Sequence, residues 1–216
     1  MRLAEKKSFS LLLKNTDEPL DRMNSDEKGL YTSNINELLA SDQFTHSINE
    51  GTFACDELNN IVINKFPRCL VINLDKSFQP GSHWVGLYFE SPDVVDFFDS
   101  YARRLSKYAD IDQFVKSTIG WRNKAILQNH SVLQGENTNV CGHWVVLFLW
   151  YRSRGIQLSD FVCLFNDQKS GTYDNYIKDT VSFQYCLNSL CPKLPDIHQS
   201  VDQTCVCKLH VCCTDD

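Results

Sequence analysis

Apolar residues first become periodic along the chain just after position 30. In "SNINELLASDQF", Ile35, Leu38 and Leu39 recur at helical spacing behind Ser33, a residue type that caps helices, so the pattern predicts a first helix. Residues 1–30 are charged and lack such a period, which is typical of a flexible lead-in segment. The "GTFACDEL" that follows has the turn-rich composition of a connector.

The middle of the chain has the pattern of β-strands. Three apolar segments, "RCLVINLD" (68–75), "HWVGLYFE" (83–90) and "VVDFFDSY" (94–101), are separated only by short turns. Gaps this short join neighbouring antiparallel strands, so we predict a small meander. A further strand is predicted in "KAILQNHSVLQG" (124–135).

Three more helices are predicted around these strands. The segments "DIDQFVKST" (110–118) and "TYDNYIKDTVSFQYCLNSL" (172–190) are amphipathic. Residues 141–154 form a continuous apolar run that is too long for one strand and ends in basic residues and glycine, as a buried helix does. We therefore predict an α+β fold, with a small antiparallel-rich sheet flanked by helices.

Composition places all of this in one domain. The 216 residues, 43% of them hydrophobic, suffice for a single core, which we assign to residues 31–190 and which a cysteine-rich tail follows at 191–216. The net charge of -6 disfavours DNA binding through phosphates. The N-terminal segment has no apolar run as long as a signal-peptide core, and the longest run, Trp144 to Tyr151, is too short to span a membrane. We therefore expect an intracellular protein of the cytoplasm, the nucleus or a virion, and we also expect a monomer.

Ten cysteines in a chain without an export signal indicate thiols, catalytic groups or metal ligands rather than disulfides. Four of them lie in "CVCKLHVCC" (205–213), whose Cys and His are zinc-ligand types. The spacing does not match the paired CxxC of a zinc finger, so we favour a thiol-rich extension over a zinc site. We predict no metal and no cofactor.

A different cysteine stands at a border in "VLQGENTNVCGHWVVLFLWY" (132–151). Cys141 separates a polar loop from the predicted buried helix, where the positive end of the helix dipole and the free N–H groups of the first turn stabilise a thiolate. A lone cysteine is more often a buried structural thiol, so a nucleophilic role depends on its partners. Gly142, the next residue, would leave room for substrate or backbone beside it.

Thiolate attack on an acyl carbon requires a base and a site for the oxyanion. His83 opens a predicted strand, and Asp99 at the end of the next strand could fix its tautomer. Gln134, on the polar loop before Cys141, could donate its side-chain amide to the oxyanion, with the backbone N–H of Cys141 as second donor. His143 lies on another side of the helix and is interpreted as a packing or surface residue.

In this order, "GSHW", "FFDSY" and "QGENTNVCG" resemble the motifs of the adenovirus maturation protease family, the adenains, and of their relatives in Polinton or Maverick transposons. The ubiquitin-like-protein proteases are more distant members of the same clan. The resemblance covers about residues 51–155 and implies an adenain-like cysteine protease fold, with the nucleophile at the start of a buried central helix.

Carried over residue by residue, the resemblance implies that Cys141 is the nucleophile and His83 the general base. Asp99 would orient the histidine, Gln134 and the Cys141 N–H would form the oxyanion hole, and Trp84 would flank the catalytic histidine. The chain departs from adenain in having Asp where adenain has Glu, and "CGHWVV" where adenain has "CGLFCC".

The resemblance implies a cysteine endopeptidase that cleaves beside glycine in precursor proteins, as in virion maturation. Two alternatives remain: an isopeptidase that removes ubiquitin or a ubiquitin-like modifier, and a catalytically inactive relative that acts as a binding protein. Adenain is activated by a disulfide-linked peptide and by DNA; an activating peptide stays open for this chain, whereas its net charge disfavours DNA.

Overall fold

A computed structural model describes residues 29–119 and 125–190 of the protein, except for the side chains of residues 185–190. The helices in this part of the chain are α1 (Thr32–Ser41), α2 (Ala109–Ile119), α3 (Cys141–Ser153), α4 (Leu158–Cys163) and α5 (Asp174–Leu190). The strands are β1 (Asn49–Ala54), β2 (Arg68–Asn73), β3 (Trp84–Ser91), β4 (Val94–Phe98) and β5 (Ala125–Gln128). Short 3-10 helices cover Cys55–Asn60 and Leu105–Lys107.

The five strands form one mixed sheet in the order β1-β2-β3-β4-β5. The central strands β2, β3 and β4 pair antiparallel, so the predicted meander is confirmed. The outer strands β1 and β5 pair in parallel with β2 and β4, because longer connections separate each from its partner along the chain. With helices on the sheet, the predicted α+β class is confirmed.

Each face of the sheet carries its own apolar core. On one face α3 packs against β3, and a Cβ added at Gly86 would lie 3.0 Å from Val145 Cγ1, so glycine allows this close approach. Phe98 of β4 stacks on Phe148 of α3 with ring centroids 4.7 Å apart. On the opposite face α2 and the first 3-10 helix cover β2, β3 and β4.

Helix α3 is the central buried element. Of its 13 residues, 11 are buried, which explains why the apolar run in the sequence has no polar side. Near its C-terminal end, Arg152 is 1% exposed and bridges two strands by pairing with Asp96 of β4 at 2.5 Å and Glu90 of β3 at 3.1 Å. These two ion pairs tie the C-terminal end of α3 to the sheet.

Some predicted boundaries were wrong. The "GTFACDEL" connector contains most of β1, a half-buried edge strand whose pattern is too weak to distinguish from a loop, and the strand predicted at 124–135 ends at Gln128. The six-residue α4 was not predicted, because so short a helix shows no period. The lead-in and the tail lie almost wholly outside the described residues, so these boundaries stay predictions. No helix in the described part of the chain is long and apolar enough to cross a membrane.

Candidate active site

His83 and Asp99 come together because of the antiparallel pairing of β3 and β4. His83 directly precedes β3 and Asp99 directly follows β4, and the register pairs Gly86 with Phe98, so the start of one strand lies beside the end of the other. His83 Nε2 lies 2.7 Å from Asp99 Oδ1. Both side chains are buried, which strengthens the electrostatic interaction between them.

Three residues hold Asp99 in place, two of them through its carboxylate and one through its backbone. The Tyr101 backbone N–H donates to Oδ1 at 2.9 Å, and the Tyr108 hydroxyl donates to Oδ2 at 2.9 Å. Asn129 makes two hydrogen bonds to the backbone of Asp99. Its Nδ2 donates to the Asp99 carbonyl at 2.7 Å, and its Oδ1 accepts from the Asp99 N–H at 3.1 Å. Sequence reasoning missed these positioning residues, although Tyr101 lies within the "FFDSY" motif.

Cys141 is the first residue of α3, as predicted, and its thiol lies near enough to His83 to raise the pKa of the imidazole through hydrogen bonding and charge. Because Nε2 of the imidazole faces Asp99, its other nitrogen, Nδ1, is the one available to the sulfur. The ring of Tyr101 stacks on the imidazole with centroids 5.0 Å apart. The imidazole therefore lies between a carboxylate and a thiol, the arrangement that a general base needs beside a nucleophile.

Charge decides which protonation state of His83 is favoured. Burial lowers the pKa of His83, but hydrogen bonds and charge from Asp99 and Cys141 outweigh it and raise the pKa to about 9. Burial also raises the pKa of Asp99, and the hydrogen bond and charge of His83 outweigh that effect, leaving this pKa below its ordinary value. An imidazolium beside an ionised Asp99 is the state that stabilises a Cys141 thiolate.

Gln134 lies on the loop before α3, with its side chain oriented at both ends. The Ser100 hydroxyl donates to Gln134 Oε1 at 2.7 Å, and Gln134 Nε2 donates to the Thr138 carbonyl at 2.7 Å. The backbone N–H groups of Leu133 and Gln134 both donate to the Ser100 carbonyl, at 2.9 and 3.2 Å. A primary amide has two N–H groups, so one on Nε2 remains for an oxyanion. Ser100 was not predicted.

A cleft of about 590 Å³ leads to Cys141. Trp84, residues 29–32, residues 52–54 of β1 and the loop before His83 line its walls. The Trp84 indole N–H donates to the Leu30 carbonyl at 2.9 Å, which joins two of these walls beside the cysteine. The cleft therefore provides open space beside Cys141.

Gly142 makes room for the protein's own chain. A Cβ at this position would lie 3.1 Å from Leu30 Cβ, 3.2 Å from Trp84 Cδ1 and 3.4 Å from Ile35 Cδ1. These neighbours are side chains and not the backbone that the sequence analysis suggested, and room for substrate stays a prediction.

His143 is a buried packing residue with no part in these contacts. It is 3% exposed and its Nδ1 has no hydrogen-bond partner. Burial, and then the charge of Lys178, lower the pKa of His143 to about 4, so it is neutral at ordinary pH. Among residues 29–119 and 125–190, no group of three or more His, Cys, Asp or Glu side chains could hold a metal ion, and the "CVCKLHVCC" tail lies outside these residues.

No protein-family model matches the sequence, and no curated protein matches it significantly. Solved structures similar to this chain include the central domain of the uncharacterized Lpg1148 protein from Legionella pneumophila, at 14% identity and a TM-score of 0.45, covering 76% of this chain and 99% of that one. The yeast Ulp1 protease domain, in complex with Smt3, the yeast ortholog of SUMO, is similar at 12% identity and a TM-score of 0.46, covering 88% and 97%. The ASFV pS273R protease is similar at 13% identity and a TM-score of 0.43, covering 86% and 78%. TM-scores of 0.46 or less assign neither an activity nor residue roles to this chain.

Proposed function

We propose that this protein is a cysteine endopeptidase of the adenain-like kind, with Cys141, His83 and Asp99 as catalytic residues. The observation that carries the proposal is that the His83 imidazole lies 2.7 Å from the Asp99 carboxylate and also interacts with the Cys141 thiol, which lines a cleft. Each of these three residues lies at the end of a different secondary-structure element, and all three are buried.

In the proposed reaction, the Cys141 thiolate attacks the carbonyl carbon of the scissile peptide bond and forms a tetrahedral intermediate. The free N–H of Gln134 and the backbone N–H of Cys141 hold its oxyanion. The His83 imidazolium then gives its proton to the leaving amine, which departs and leaves a thioester on Cys141. Water, deprotonated by the now neutral His83, attacks the thioester, which releases the carboxylic-acid product and regenerates the Cys141 thiolate beside the His83 imidazolium. Asp99 keeps the imidazole oriented throughout.

For the substrate, we propose a protein cleaved beside glycine, in the manner of capsid-type precursors. The support is the resemblance of the "GSHW", "FFDSY" and "QGENTNVCG" motifs, together with the cleft that brings Trp84 and the 29–32 segment next to Cys141. A large side chain next to the scissile bond would need space between these walls. Glycine has no side chain and needs no such space.

The test is hydrolysis of a fluorogenic peptide that ends in Gly-Gly-aminomethylcoumarin, beside a matched peptide in which Val replaces the last Gly. We expect turnover of the first peptide only. Cys141→Ala should reduce turnover by up to about 10⁶-fold, as loss of a nucleophile does. The matched control is Cys163→Ala, which removes a half-buried thiol outside the site and should leave turnover unchanged. Equal turnover by Cys141→Ala and the wild type would refute the proposal.

A ubiquitin-like protein carrying a C-terminal electrophile separates the isopeptidase alternative from an endopeptidase. Labelling of Cys141 by this probe at a rate well above that of a Gly-Gly peptide electrophile would assign the chain to modifier removal. Equal rates with the two reagents would support the endopeptidase, because a folded modifier would then add nothing to recognition.

A further inference from the structure

Asp174 is a buried carboxylate that the proposed reaction does not use. It is the first residue of α5 and is 3% exposed. Its Oδ2 accepts hydrogen bonds from the Gly135 backbone N–H at 2.9 Å and from the Thr138 hydroxyl at 2.7 Å, while its Oδ1 accepts from the Trp144 indole N–H at 2.9 Å. The carboxylate therefore connects the loop that carries Gln134 with the helix that carries Cys141.

The contacts around Gln134 show how this connection reaches the oxyanion donor. Gly135, whose N–H is held by Asp174, is the next residue in the chain. Thr138, whose hydroxyl is held by the same oxygen, offers its carbonyl to Gln134 Nε2 at 2.7 Å. Asp174 thus holds Gly135, the residue after Gln134, and Thr138, the residue whose carbonyl accepts from the Gln134 amide.

The backbone around this loop is closely packed. A Cβ added at Gly171, which has a φ of +83°, would lie 2.8 Å from Gly135 Cα, and one added at Gly135 would lie 3.2 Å from Asp174 Oδ2. The Gly171 N–H also donates to the Leu133 carbonyl at 2.8 Å. Gly135 and Gly171 allow the turn before α5 to pack against the Gln134 loop. The Asp174 carboxylate can therefore reach the backbone N–H of Gly135.

Burying a carboxylate is costly, and a purely structural link between a helix and a loop could use neutral groups. Hydrogen bonds to an ionised acceptor are shorter and stronger than neutral ones, so they hold the donors in a narrower range of positions. Oxyanion stabilisation depends on that narrow range, because a donor acts on the transition state only when it is already in place.

We infer that Asp174 is a positioning residue for the oxyanion hole, holding the Gln134 amide in register with Cys141. The inference rests on the proposed function. Asp174→Asn keeps the size and shape of the side chain but replaces one acceptor oxygen by a donor, which must then face an N–H or hydroxyl group. The Gln134 loop should lose part of its order while His83 and Asp99 stay in place.

The experiment combines Asp174→Asn and Gln134→Ala, singly and together, with hydrolysis of the Gly-Gly-aminomethylcoumarin peptide. Removing an oxyanion donor costs about 10²- to 10³-fold in kcat, so we expect a loss in that range for Gln134→Ala and about 10- to 100-fold for Asp174→Asn, with KM little changed in both. Because Asp174 acts through Gln134, the double variant should be no slower than Gln134→Ala alone. Asp167→Asn, an exposed carboxylate that accepts from Tyr173, is the matched control.

Alkylation of Cys141 by iodoacetamide distinguishes positioning from general damage. This displacement develops no oxyanion on the substrate carbonyl, so its rate and pH dependence should be the same in Asp174→Asn and the wild type. Thr138→Val, which removes one of the three donors and little volume, should lower kcat in the same direction by a smaller factor, and it replaces Asp174→Asn if that variant does not fold.

Three results would overturn the inference while leaving the proposed function intact. The first is a wild-type kcat in Asp174→Asn. The second is that Asp174→Asn lowers kcat by the same factor in the wild type and in the Gln134→Ala variant. The third is that Asp174→Asn lowers the alkylation rate of Cys141 by the same factor as kcat. A wild-type protein that does not hydrolyse the peptide at all would instead overturn the proposed function, and the role of Asp174 with it.

Discussion

The protonation of His83 offers a direct test of how the candidate site is built. Burial lowers the pKa of this imidazole, and Asp99 and Cys141 together raise it to about 9 against an ordinary value of 6.5. We therefore choose a perturbation that removes both partners: Asp99→Asn in a Cys141→Ala background. Burial is then the main remaining influence, and the pKa of His83 should fall below 6.5.

The magnitude follows from linkage between protonation and folding. The difference between 6.5 and about 9 corresponds to about 3 kcal/mol, at about 1.4 kcal/mol for each pKa unit. Because the folded-state pKa is raised, this contribution to the free energy of unfolding is fully present below pH 6.5 and is lost as the pH rises through 9. In the double variant the folded-state pKa is depressed, so the sign reverses and this group favours folding more as the pH rises to 6.5.

Two measurements check this expectation. NMR titration of the histidine ring resonances, assigned with a His83→Gln variant, gives the pKa of His83 in each protein. Urea unfolding at pH 6 and pH 9.5 gives the change in stability, and the difference between wild type and double variant cancels groups that titrate in both. A wild-type His83 that titrates at or below 6.5, or a pKa that the two substitutions leave unchanged, would refute the reasoning.

Two further predictions concern the packing around α3. Gly142→Val should lower the free energy of unfolding by about 1–3 kcal/mol, because its added carbons would crowd Leu30 and Trp84, and an unchanged urea midpoint would contradict this. Asp96→Ala leaves the buried guanidinium of Arg152 without its closest partner and should cost about 3–5 kcal/mol, measured in the same way. A loss below about 1 kcal/mol would mean that the pair behaves like one at the surface.

Local patterns were sufficient to predict the parts of the fold that carry Cys141 and His83. The uninterrupted apolar run after Cys141 has a length that only a buried helix can use, and the turn before His83 is too short for anything but an antiparallel neighbour. Asp99 followed from the same meander, since strands of similar length place the start of one beside the end of the next.

The residues that orient this site could not be predicted, because their partners are remote in sequence. Asn129 contacts Asp99 across 30 positions, and Asp174 contacts Gly135 across 39. In the sequence each is an ordinary polar residue in or near a loop, and no local period distinguishes it from a solvated one. The parallel edge pairing of β1 and β5 was missed for the same reason, since it depends on packing across the whole sheet.

One turn after β4 serves both halves of the candidate site. Asp99 accepts from His83, and the next residue, Ser100, holds the side chain and backbone of Gln134. The Ala102 N–H donates to the Asp99 carbonyl at 2.7 Å, and Ala102 has a φ of 53°, a conformation that non-glycine residues rarely adopt. Asp99 and Ser100, which contact the proposed base and the proposed oxyanion donor, are therefore neighbours in one turn, so a shift of this turn would displace His83 and Gln134 together relative to Cys141. Asp174 holds the Gln134 loop from its other side, because it accepts from the Gly135 N–H and from Trp144 of α3. The proposed oxyanion donor is therefore connected to α3 as well as to β4.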